Sequence, residues 1–248
     1  MLTKAKKLIA LAASATLMLS ACLRLPPTEA TIPTVGTARD NGAGRTLIVM
    51  LPGMGDRAKS FVSEEFFDIA QERGYDTIAV DAHLGYYRER SLVSRLQEDV
   101  IEPAQAQGYD NIWLLGISMG GFGALYYAQA RPDDIAGLIL LAPWLGGDEI
   151  VNDILAAESL GTWTPGEQDF PTHEIDVWRW LQAETSDPHG KPIVLAYGNS
   201  DRLAGAYSPL LERIPDANVY TRNGGHKWTT WRPLWTQIAG SFKTQAAP

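Results

Sequence analysis

The segment Asn111-Ile112-Trp113-Leu114-Leu115-Gly116-Ile117-Ser118-Met119-Gly120 decides the fold. Asn111–Leu115 is an apolar run typical of a buried strand, and Gly121–Ala128, directly after the segment, has the pattern of a helix. Between them, Gly116–Gly120 matches G-x-S-x-G. A strand before this pattern and a helix after it predict a nucleophile elbow, a tight turn that exposes the Ser118 hydroxyl above a sheet. The glycines allow strand and helix to approach closely, and the helix N-terminus offers a backbone N–H to a developing oxyanion.

Apolar segments alternate with helical patterns through the rest of the folded part. Several predicted strands are apolar along their whole length, as in Leu138–Leu141, which is typical of strands covered on both faces. This order predicts an α/β fold, a mostly parallel, doubly wound sheet of about six strands with helices on both faces. The predicted strands are Thr46–Leu51, Thr77–Asp81, Asn111–Gly116, Ile135–Ala142, Pro192–Tyr197 and Asn218–Tyr220. The predicted helices span residues 60–73, 91–107, 119–130 and 231–243.

Residues 144–190, after the predicted strand Ile135–Ala142, interrupt the alternation of strands and helices. Asp148–Glu158 and His173–Glu184 each carry apolar residues at helical spacing. This helical insertion either forms a small cap over a pocket or packs on the main core, and its pattern favours neither arrangement.

The N-terminus has the features of an export signal. Basic residues, Lys4, Lys6 and Lys7, precede the apolar run Leu8–Leu19, which is too short for a permanent membrane-spanning helix. The run ends in Leu19-Ser20-Ala21-Cys22, which resembles a bacterial lipobox, where the cysteine is acylated and becomes the first residue of the mature protein. The alternative is an ordinary secretory signal with an incidental cysteine.

Cys22 is the only cysteine, so the chain forms no internal disulfide. Leu23 follows it instead of aspartate, and by resemblance to enteric lipoproteins this permits sorting to the outer membrane. We therefore predict a signal peptide over residues 1–21, an acylated Cys22 with a flexible tether over 22–44, and a folded domain over 45–248. The expected location is the bacterial cell envelope, lipid-anchored and facing the periplasm if the cell is Gram-negative.

The charge argues against a nucleic-acid partner. The formal net charge is −8, and removal of residues 1–21, which hold three lysines and no acids, makes it −11. A strongly acidic protein is a poor candidate for nucleic-acid binding, which ordinarily relies on basic surfaces. The roughly 200 residues after the tether suit one domain with a sizeable core.

A serine hydroxyl becomes nucleophilic when a histidine takes its proton and a carboxylate orients that histidine. His226 is the favoured base, because it follows the last predicted strand and the glycines before it allow a turn towards Ser118. It also fits the chain order of serine, acid and histidine. The alternatives are His83, His173 and His189.

The favoured acid is Asp201, which follows the predicted strand Pro192–Tyr197 and therefore lies at the same edge of the sheet as Ser118. Asp201 could also cap a turn or the next helix, and Asp148 is the alternative acid. For the oxyanion, we expect the backbone N–H of Met119 and, from the loop Leu51–Asp56, that of Met54. The alternative for this loop is a glycine-rich turn without a role.

These motifs, spread over residues 45–243, resemble the α/β-hydrolase fold superfamily, and the segment Gly225–Trp231 is similar to the end of esterases of the esterase D and mycolyltransferase type. Many relatives have His-Gly where this chain has Pro52-Gly53. The first two strands of larger members have no counterpart before residue 45, so we expect a minimal six-stranded sheet. The resemblance implies a serine hydrolase that acts on a carboxylic ester or thioester through an acyl-enzyme.

Four aromatic residues are candidates for the substrate pocket. Trp228 and Trp231 either wall an acyl pocket or belong to the core, and Tyr86 and Tyr87 would line the opposite wall.

Arg88 and Arg90 either attract an anionic substrate or belong to a solvated charged loop. No residues have metal-ligand spacing, and no motif indicates a nucleotide, so we expect neither a metal nor another cofactor.

The sequence leaves four functions open. The favoured one is hydrolysis of a small acyl ester or thioester, with peptidase activity less favoured because no peptide-binding feature is present. Acyl transfer to an alcohol or amine would use the same triad and the same acyl-enzyme. The alternative from another class is a non-catalytic envelope lipoprotein that uses the fold for binding.

Overall fold

The computed structural model describes residues 27–28, 30–36, 42–166, 169–187 and 190–241. The predicted signal peptide, the predicted acylation site Cys22 and the alternative base His189 lie outside these residues.

A seven-stranded sheet forms the centre of the molecule, in the order β1-β3-β2-β4-β5-β6-β7. Every neighbouring pair is parallel except β1 and β3, which are antiparallel. The predicted fold class is confirmed, and each of the six predicted strands has its counterpart. The strands are β1 (Thr34–Val35), β2 (Thr46–Leu51), β3 (Asp76–Val80), β4 (Asn111–Ile117), β5 (Gly137–Leu141), β6 (Ile193–Gly198) and β7 (Val219–Arg222).

The seventh strand, β1, lies in the segment that we expected to be a tether. Thr34 pairs with Val80, Asp81 N–H donates to the Pro33 carbonyl at 2.8 Å, and Ile32 is only 1% exposed. Asp99 fixes this segment from the other side by accepting a hydrogen bond from Ile32 N–H at 2.8 Å. Residues 30–36 therefore belong to the folded domain, and a two-residue strand is too short to produce a periodic pattern in the sequence.

Ten α-helices surround the sheet in the described part of the chain. They are α1 (Ala58–Ser63), α2 (Phe66–Gln71), α3 (Leu84–Arg88), α4 (Leu92–Leu96), α5 (Glu102–Ala106), α6 (Met119–Ala130), α7 (Asp148–Ala156), α8 (Thr172–Glu184), α9 (Ser208–Leu211) and α10 (Trp228–Ser241).

Two of the predicted helices are less regular in the structure than the sequence pattern suggests. The helix expected over 60–73 is divided into α1 and α2, because Glu65 takes a left-handed backbone with φ 63°. The helix expected over 91–107 runs from α4 to α5 through a π-helical turn, Gln97–Ile101, in which Glu102 N–H donates to the Gln97 carbonyl. Only Glu102 separates this turn from Pro103, which has no N–H to continue an α-helical ladder.

The sheet separates two apolar cores. Leu47 and Val49 of β2 face one core with α3 to α9, whereas Ile48 and Met50 face the other with α1, α2 and α10. Both faces are covered, which explains why the central strands are apolar throughout.

The insertion 144–190 packs into the first of these cores. Ile150 and Ile154 of α7 and Trp178 and Leu181 of α8 are at most 2% exposed and join the strand side chains there. The Trp178 indole N–H donates to the Leu145 carbonyl at 2.8 Å. The described helices of the insertion therefore pack on the main core, and Trp144 and His173 of the same insertion also line a cavity beside Ser118.

Among the described residues, no helix is both long enough and apolar enough to cross a membrane.

Candidate active site

Ser118 occupies a strained turn between β4 and α6. Its φ is 52° and its ψ is −118°, a conformation that costs a non-glycine residue roughly 1–3 kcal/mol. Backbone hydrogen bonds hold it there: Ser118 N–H donates to the Leu141 carbonyl at 3.0 Å, and its own carbonyl accepts from Gly121 N–H and Trp144 N–H, each at 2.9 Å. The predicted strand, turn and helix around Ser118 are all present.

Close backbone contacts explain the glycines of the elbow. A Cβ atom at Gly120 would lie 2.1 Å from the Leu51 carbonyl oxygen, and one at Gly116 would lie 2.2 Å from the Gly120 carbonyl oxygen. The start of α6 therefore rests directly on the end of β2, which fixes the position of Ser118 relative to the loop after β2.

The structure brings the predicted base and acid to this serine. His226 Nε2 lies 2.9 Å from Ser118 Oγ, and His226 Nδ1 lies 3.0 Å and 2.9 Å from the two carboxylate oxygens of Asp201. The Asp201 side chain is fully buried and that of His226 is 15% exposed. A serine, a histidine and a buried carboxylate in hydrogen-bonded sequence are arranged as proton transfer from the hydroxyl requires.

Asp201 follows β6, and His226 lies between β7 and α10, so neighbouring strand ends position the two side chains. Their loops are joined, since Ser200 N–H donates to the Gly224 carbonyl at 2.9 Å. Asp201 also accepts from Leu203 N–H at 2.9 Å, so the turn-capping alternative and the role towards His226 hold together.

The other candidates for base and acid lie elsewhere. His83 precedes α3, where its Nδ1 accepts from Gly85 N–H at 3.1 Å, and burial lowers its pKa. His173 begins α8 and contacts the rings of Phe122 and Tyr126. Asp148 is exposed at the start of α7.

The loop after β2 lies against the nucleophile. A Cβ atom at Gly53 would lie 3.4 Å from Ser118 Cβ, and Asp56 N–H closes the turn by donating to the Gly53 carbonyl at 3.1 Å. Met54 and Met119 line the same cavity as Ser118. Met119 is the first residue of α6, where backbone N–H groups have no acceptor within the helix.

A cavity of about 560 Å³ opens beside Ser118. Its walls are largely apolar and aromatic, formed by Met54, Leu84, Met119, Phe122, Tyr126 and Trp144. Its polar residues are Ser118, Tyr87, Arg88, Arg90, His173 and Arg202. No aspartate or glutamate is among the described lining residues. Arg88, Arg90 and Arg202 are all exposed.

Three of the four aromatic residues predicted for the pocket do not line this cavity. Tyr86 is 1% exposed within the first core, whereas Trp228 and Trp231 pack in or against the second. The Trp231 ring contacts the His226 ring edge to face at 5.0 Å, so α10 supports the histidine from behind. Tyr87 alone of the four lines the cavity.

Three aromatic residues that do line the cavity have positions that the sequence pattern could have indicated. Trp144 follows the end of a strand, as the triad residues do, and Phe122 and Tyr126 are one helical turn apart on α6. His173 and Arg202 had no such signal, because their positions depend on how the insertion and the loop after β6 pack.

Two polar atoms at the cavity are buried without a protein partner in the described part of the chain, the Tyr87 hydroxyl and His173 Nδ1. Burial raises the pKa of Tyr87, which keeps its hydroxyl protonated. Burial and, to a smaller extent, Arg90 lower the pKa of His173 against the opposing effect of Glu174. Both side chains are therefore neutral near pH 7.

Arg90 has a left-handed backbone with φ 56°, directly after α3. This conformation costs an L-residue roughly 1–2 kcal/mol relative to glycine. The described residues contain no cluster of three or more His, Cys, Asp or Glu side chains that could hold a metal ion.

Comparison with known proteins agrees with this geometry. A family model described as serine aminopeptidase, S33, matches residues 42–166, about half of the chain. The chain belongs to this hydrolase family. The matched region includes the elbow and the loop after β2 but ends before Asp201 and His226.

The solved structures that resemble this member of the S33 family have the α/β-hydrolase fold. An S-formylglutathione hydrolase from Staphylococcus aureus has a TM-score of 0.59 and 13% identity over 88% of this chain and 99% of that one. Est1E from Butyrivibrio proteoclasticus has a TM-score of 0.57 and 18% identity over 84% and 90%. At these identities the likeness establishes the fold alone.

Curated relatives are also hydrolases. A 2-hydroxy-6-oxononadienedioate/2-hydroxy-6-oxononatrienedioate hydrolase of Paraburkholderia phymatum is 31% identical over 117 residues, which are 44% of this chain and 40% of that protein. A 2-hydroxy-6-oxo-6-phenylhexa-2,4-dienoate hydrolase of Burkholderia cepacia is 26% identical over 207 residues, 73% of this chain and 71% of that one. The alignment thus spans less than half of the first relative.

Proposed function

We propose that this S33-family chain is a serine hydrolase that cleaves a carboxylic ester or thioester through an acyl-enzyme. The observation that carries the proposal is the hydrogen-bonded series from Ser118 Oγ through His226 to the buried Asp201, with contacts of 2.9 to 3.0 Å. This series opens on an apolar cavity that suits the acyl or alcohol part of a small ester.

In the first half-reaction, Ser118 Oγ attacks the substrate carbonyl carbon while its proton passes to His226 Nε2. Asp201 accepts the hydrogen bond from His226 Nδ1–H and stabilises the imidazolium that forms. The Met54 and Met119 N–H groups hold the negative oxygen of the tetrahedral intermediate. The intermediate collapses, the bond to the alcohol or thiol breaks, and His226 returns the proton to the leaving group.

In the second half-reaction, water attacks the acyl-enzyme carbonyl and gives a proton to His226. The second tetrahedral intermediate then expels Ser118 Oγ, which takes the proton back from His226, and the carboxylic acid leaves. The net reaction consumes one water and regenerates the enzyme, so no cofactor is required.

Ser118→Ala tests the proposal directly. We expect the variant to lose p-nitrophenyl ester hydrolysis and labelling by a fluorophosphonate, because the alanine side chain has no nucleophilic oxygen. Ser63→Ala, at an exposed serine of α1, is the matched control and keeps both. Full esterase activity in Ser118→Ala would contradict the proposal. A wild-type protein that resists the label would favour the binding lipoprotein instead.

A graded series of p-nitrophenyl esters, with alcohol and amine acceptors added in separate reactions, separates hydrolysis from acyl transfer by its products. Aminoacyl p-nitroanilides test the aminopeptidase activity for which the family is named. We expect them to be poor substrates, because a free ammonium group meets no carboxylate among the described lining residues of the cavity.

We also propose that the protein is an envelope lipoprotein attached to the membrane through acylated Cys22. The support is the basic start, the short apolar run and the lipobox-like Leu19–Cys22 in the sequence.

A further inference from the structure

We propose that the substrate carries a negatively charged group, a carboxylate or another small anion, which Arg88, Arg90 and Arg202 bind at the cavity beside Ser118. This inference rests on the proposed function and specifies its substrate class. It selects esters that carry an anionic group over neutral esters and over peptides with a free amino terminus, which the triad would otherwise accept.

The first argument is the distribution of charge. The chain is acidic, with a formal net charge of −8, yet among the described residues the charged side chains that line this cavity are three arginines and no carboxylate. They come from two different loops, Arg88 and Arg90 from the end of α3 and Arg202 from the turn after β6. Clustered charges of one sign in a cleft with apolar walls concentrate the field on a ligand of the opposite sign.

The second argument is that these arginines are not committed to ion pairs with described residues. The nearby acids have other partners, since Asp201 accepts from His226 and Glu89 accepts from the Thr28 hydroxyl. Arg88, in the last turn of α3, also stabilises the carbonyl end of that short helix, an effect of its charge that does not use its guanidinium N–H donors in hydrogen bonds.

The third argument is the backbone at Arg90. Glycine is the residue that a left-handed position ordinarily favours, and an arginine that keeps φ at 56° retains strain at the edge of a cavity. The position is explained if its guanidinium serves the site.

The fourth argument concerns the remaining polar atoms. The Tyr87 hydroxyl and His173 Nδ1 are buried at the same cavity without partners in the described chain, and buried polar atoms are rarely left unpaired. The Tyr87 hydroxyl faces α6, since a Cβ atom at Gly123 would lie 2.5 Å from it, so it belongs to the cavity wall. His173 is close enough to Arg90 for that guanidinium to help lower its pKa, so a neutral polar ring lies beside the cationic side chains.

The experiment compares esters that differ only in charge. For the acyl side, mono-p-nitrophenyl adipate is paired with p-nitrophenyl hexanoate, which has a methyl group in place of the carboxylate. For the alcohol side, 4-(2-carboxyethyl)phenyl acetate is paired with 4-propylphenyl acetate. We expect kcat/KM to favour the charged member of at least one pair by about tenfold, equivalent to about 1.4 kcal/mol. This preference should fall as NaCl is raised from 0.05 to 0.5 M, because salt screens exposed charges.

The variant Arg88→Gln, Arg90→Gln, Arg202→Gln should reduce the charged-to-neutral ratio to about one, and using a ratio cancels any general loss of activity. The control is Arg73→Gln, Arg179→Gln, Arg222→Gln, which removes the same charge from three exposed arginines that do not line the cavity. This control should keep the preference. A ratio near one in both wild-type pairs, or a preference that survives in the cavity variant, would overturn the inference.

A binding measurement keeps the inference distinct from the hydrolase proposal. On Ser118→Ala protein, calorimetry should show that monomethyl adipate binds more tightly than methyl hexanoate and that the three cavity substitutions abolish the difference. If the wild type hydrolyses no ester but this difference is found, the hydrolase proposal fails and the anion site stands. If neutral esters are hydrolysed and neither binding nor kcat/KM favours the charged ligand, the anion-site inference is wrong and the hydrolase proposal stands.

Discussion

The Asp201 carboxylate has two hydrogen-bond partners, and these determine how an asparagine side chain would be oriented in its place. One carboxylate oxygen accepts from Leu203 N–H at 2.9 Å, and both lie within 3.0 Å of His226 Nδ1. Such a carboxylate keeps the proton on Nδ1, so that Nε2 is free to accept from Ser118. A group that donates a hydrogen bond to Nδ1 would instead place the ring proton on Nε2, so that Nε2 could no longer accept from Ser118.

Asp201→Asn should therefore lower kcat by about 10³ to 10⁴-fold while the fold is retained. Leu203 N–H would keep the amide oxygen as its acceptor, which turns the amide NH₂ towards His226 Nδ1. Single-turnover kinetics with a p-nitrophenyl ester measure the loss, and circular dichroism checks the fold. Asp216→Asn, at an exposed aspartate, is the control. Activity within tenfold of wild type would show that Asp201 does not orient the base.

At the scale of single residues, the meeting of Ser118, Asp201 and His226 could be predicted from sequence, but most of the cavity lining could not. The same local pattern, a strand end followed by a tight turn, marks Ser118, Asp201 and His226 in the sequence. Because parallel strands bring such ends to one edge of the sheet, the three side chains were expected to meet there. By contrast, α6 and α10 both carry aromatic residues, and only tertiary packing decides that Phe122 faces the cavity while Trp231 faces the sheet.

Among the elements, the contact between β2 and α6 controls the geometry of the site. α6 begins so close to the end of β2 that a side chain at Gly120 would collide with backbone, which cannot rotate away as a side chain can. The same contact sets the distance between the loop with Met54 and the N-terminus of α6 with Met119, the two proposed oxyanion donors.

Gly120→Ala should therefore lower the free energy of unfolding by about 1–3 kcal/mol through overpacking and should also reduce kcat. Urea denaturation and ester hydrolysis measure the two effects. Gly205→Ala is the control, because its Cβ would meet no atom within 4 Å and its φ is not positive, and its stability should change by no more than about 0.5 kcal/mol. Equal stability of the two variants would contradict the contact.

Element boundaries were the less predictable part of the fold. The positions of the central parallel strands β4 and β5 followed from continuous apolar character, but the left-handed Glu65 between α1 and α2 has no local sequence signal, since glutamate is a good helix former. β1 was missed for a different reason. Its stability comes from pairing with β3 and from the burial of Ile32, and both are long-range contacts.

For the molecule as a whole, the insertion 144–190 belongs to the main core and does not form a separate layer. Trp178 is completely buried, and its indole donates to Leu145 at the start of the insertion. The helices of the insertion share a single apolar cluster with the central strands, so they should unfold together with the sheet.

Trp178→Ala should lower the stability of the whole domain by about 3–5 kcal/mol, and unfolding should remain a single transition. Calorimetry measures both properties. Arg179→Ala, the exposed neighbour on α8, is the control and should differ little from wild type. A separate low-temperature transition for the insertion, with the main transition unchanged, would show that residues 144–190 form an independent cap.

The proposed anchor acts at the scale of the whole molecule, since it would hold an acidic domain at a membrane. Ten residues join Cys22 to the buried Ile32, a reach of at most about 35 Å when fully extended, so the domain would stay close to the bilayer.

Cys22→Ser, expressed in a Gram-negative host, should move the protein from the membrane fraction to the soluble periplasm, because acyl chains contribute about 0.8 kcal/mol per buried methylene. Its esterase activity per molecule should match that of the wild type, and radiolabelled palmitate should label only the wild type. Ser118→Ala with Cys22 retained should stay in the membrane fraction, so that location and activity separate cleanly. A Cys22→Ser protein that remains membrane-bound would show that something other than acylation holds it there.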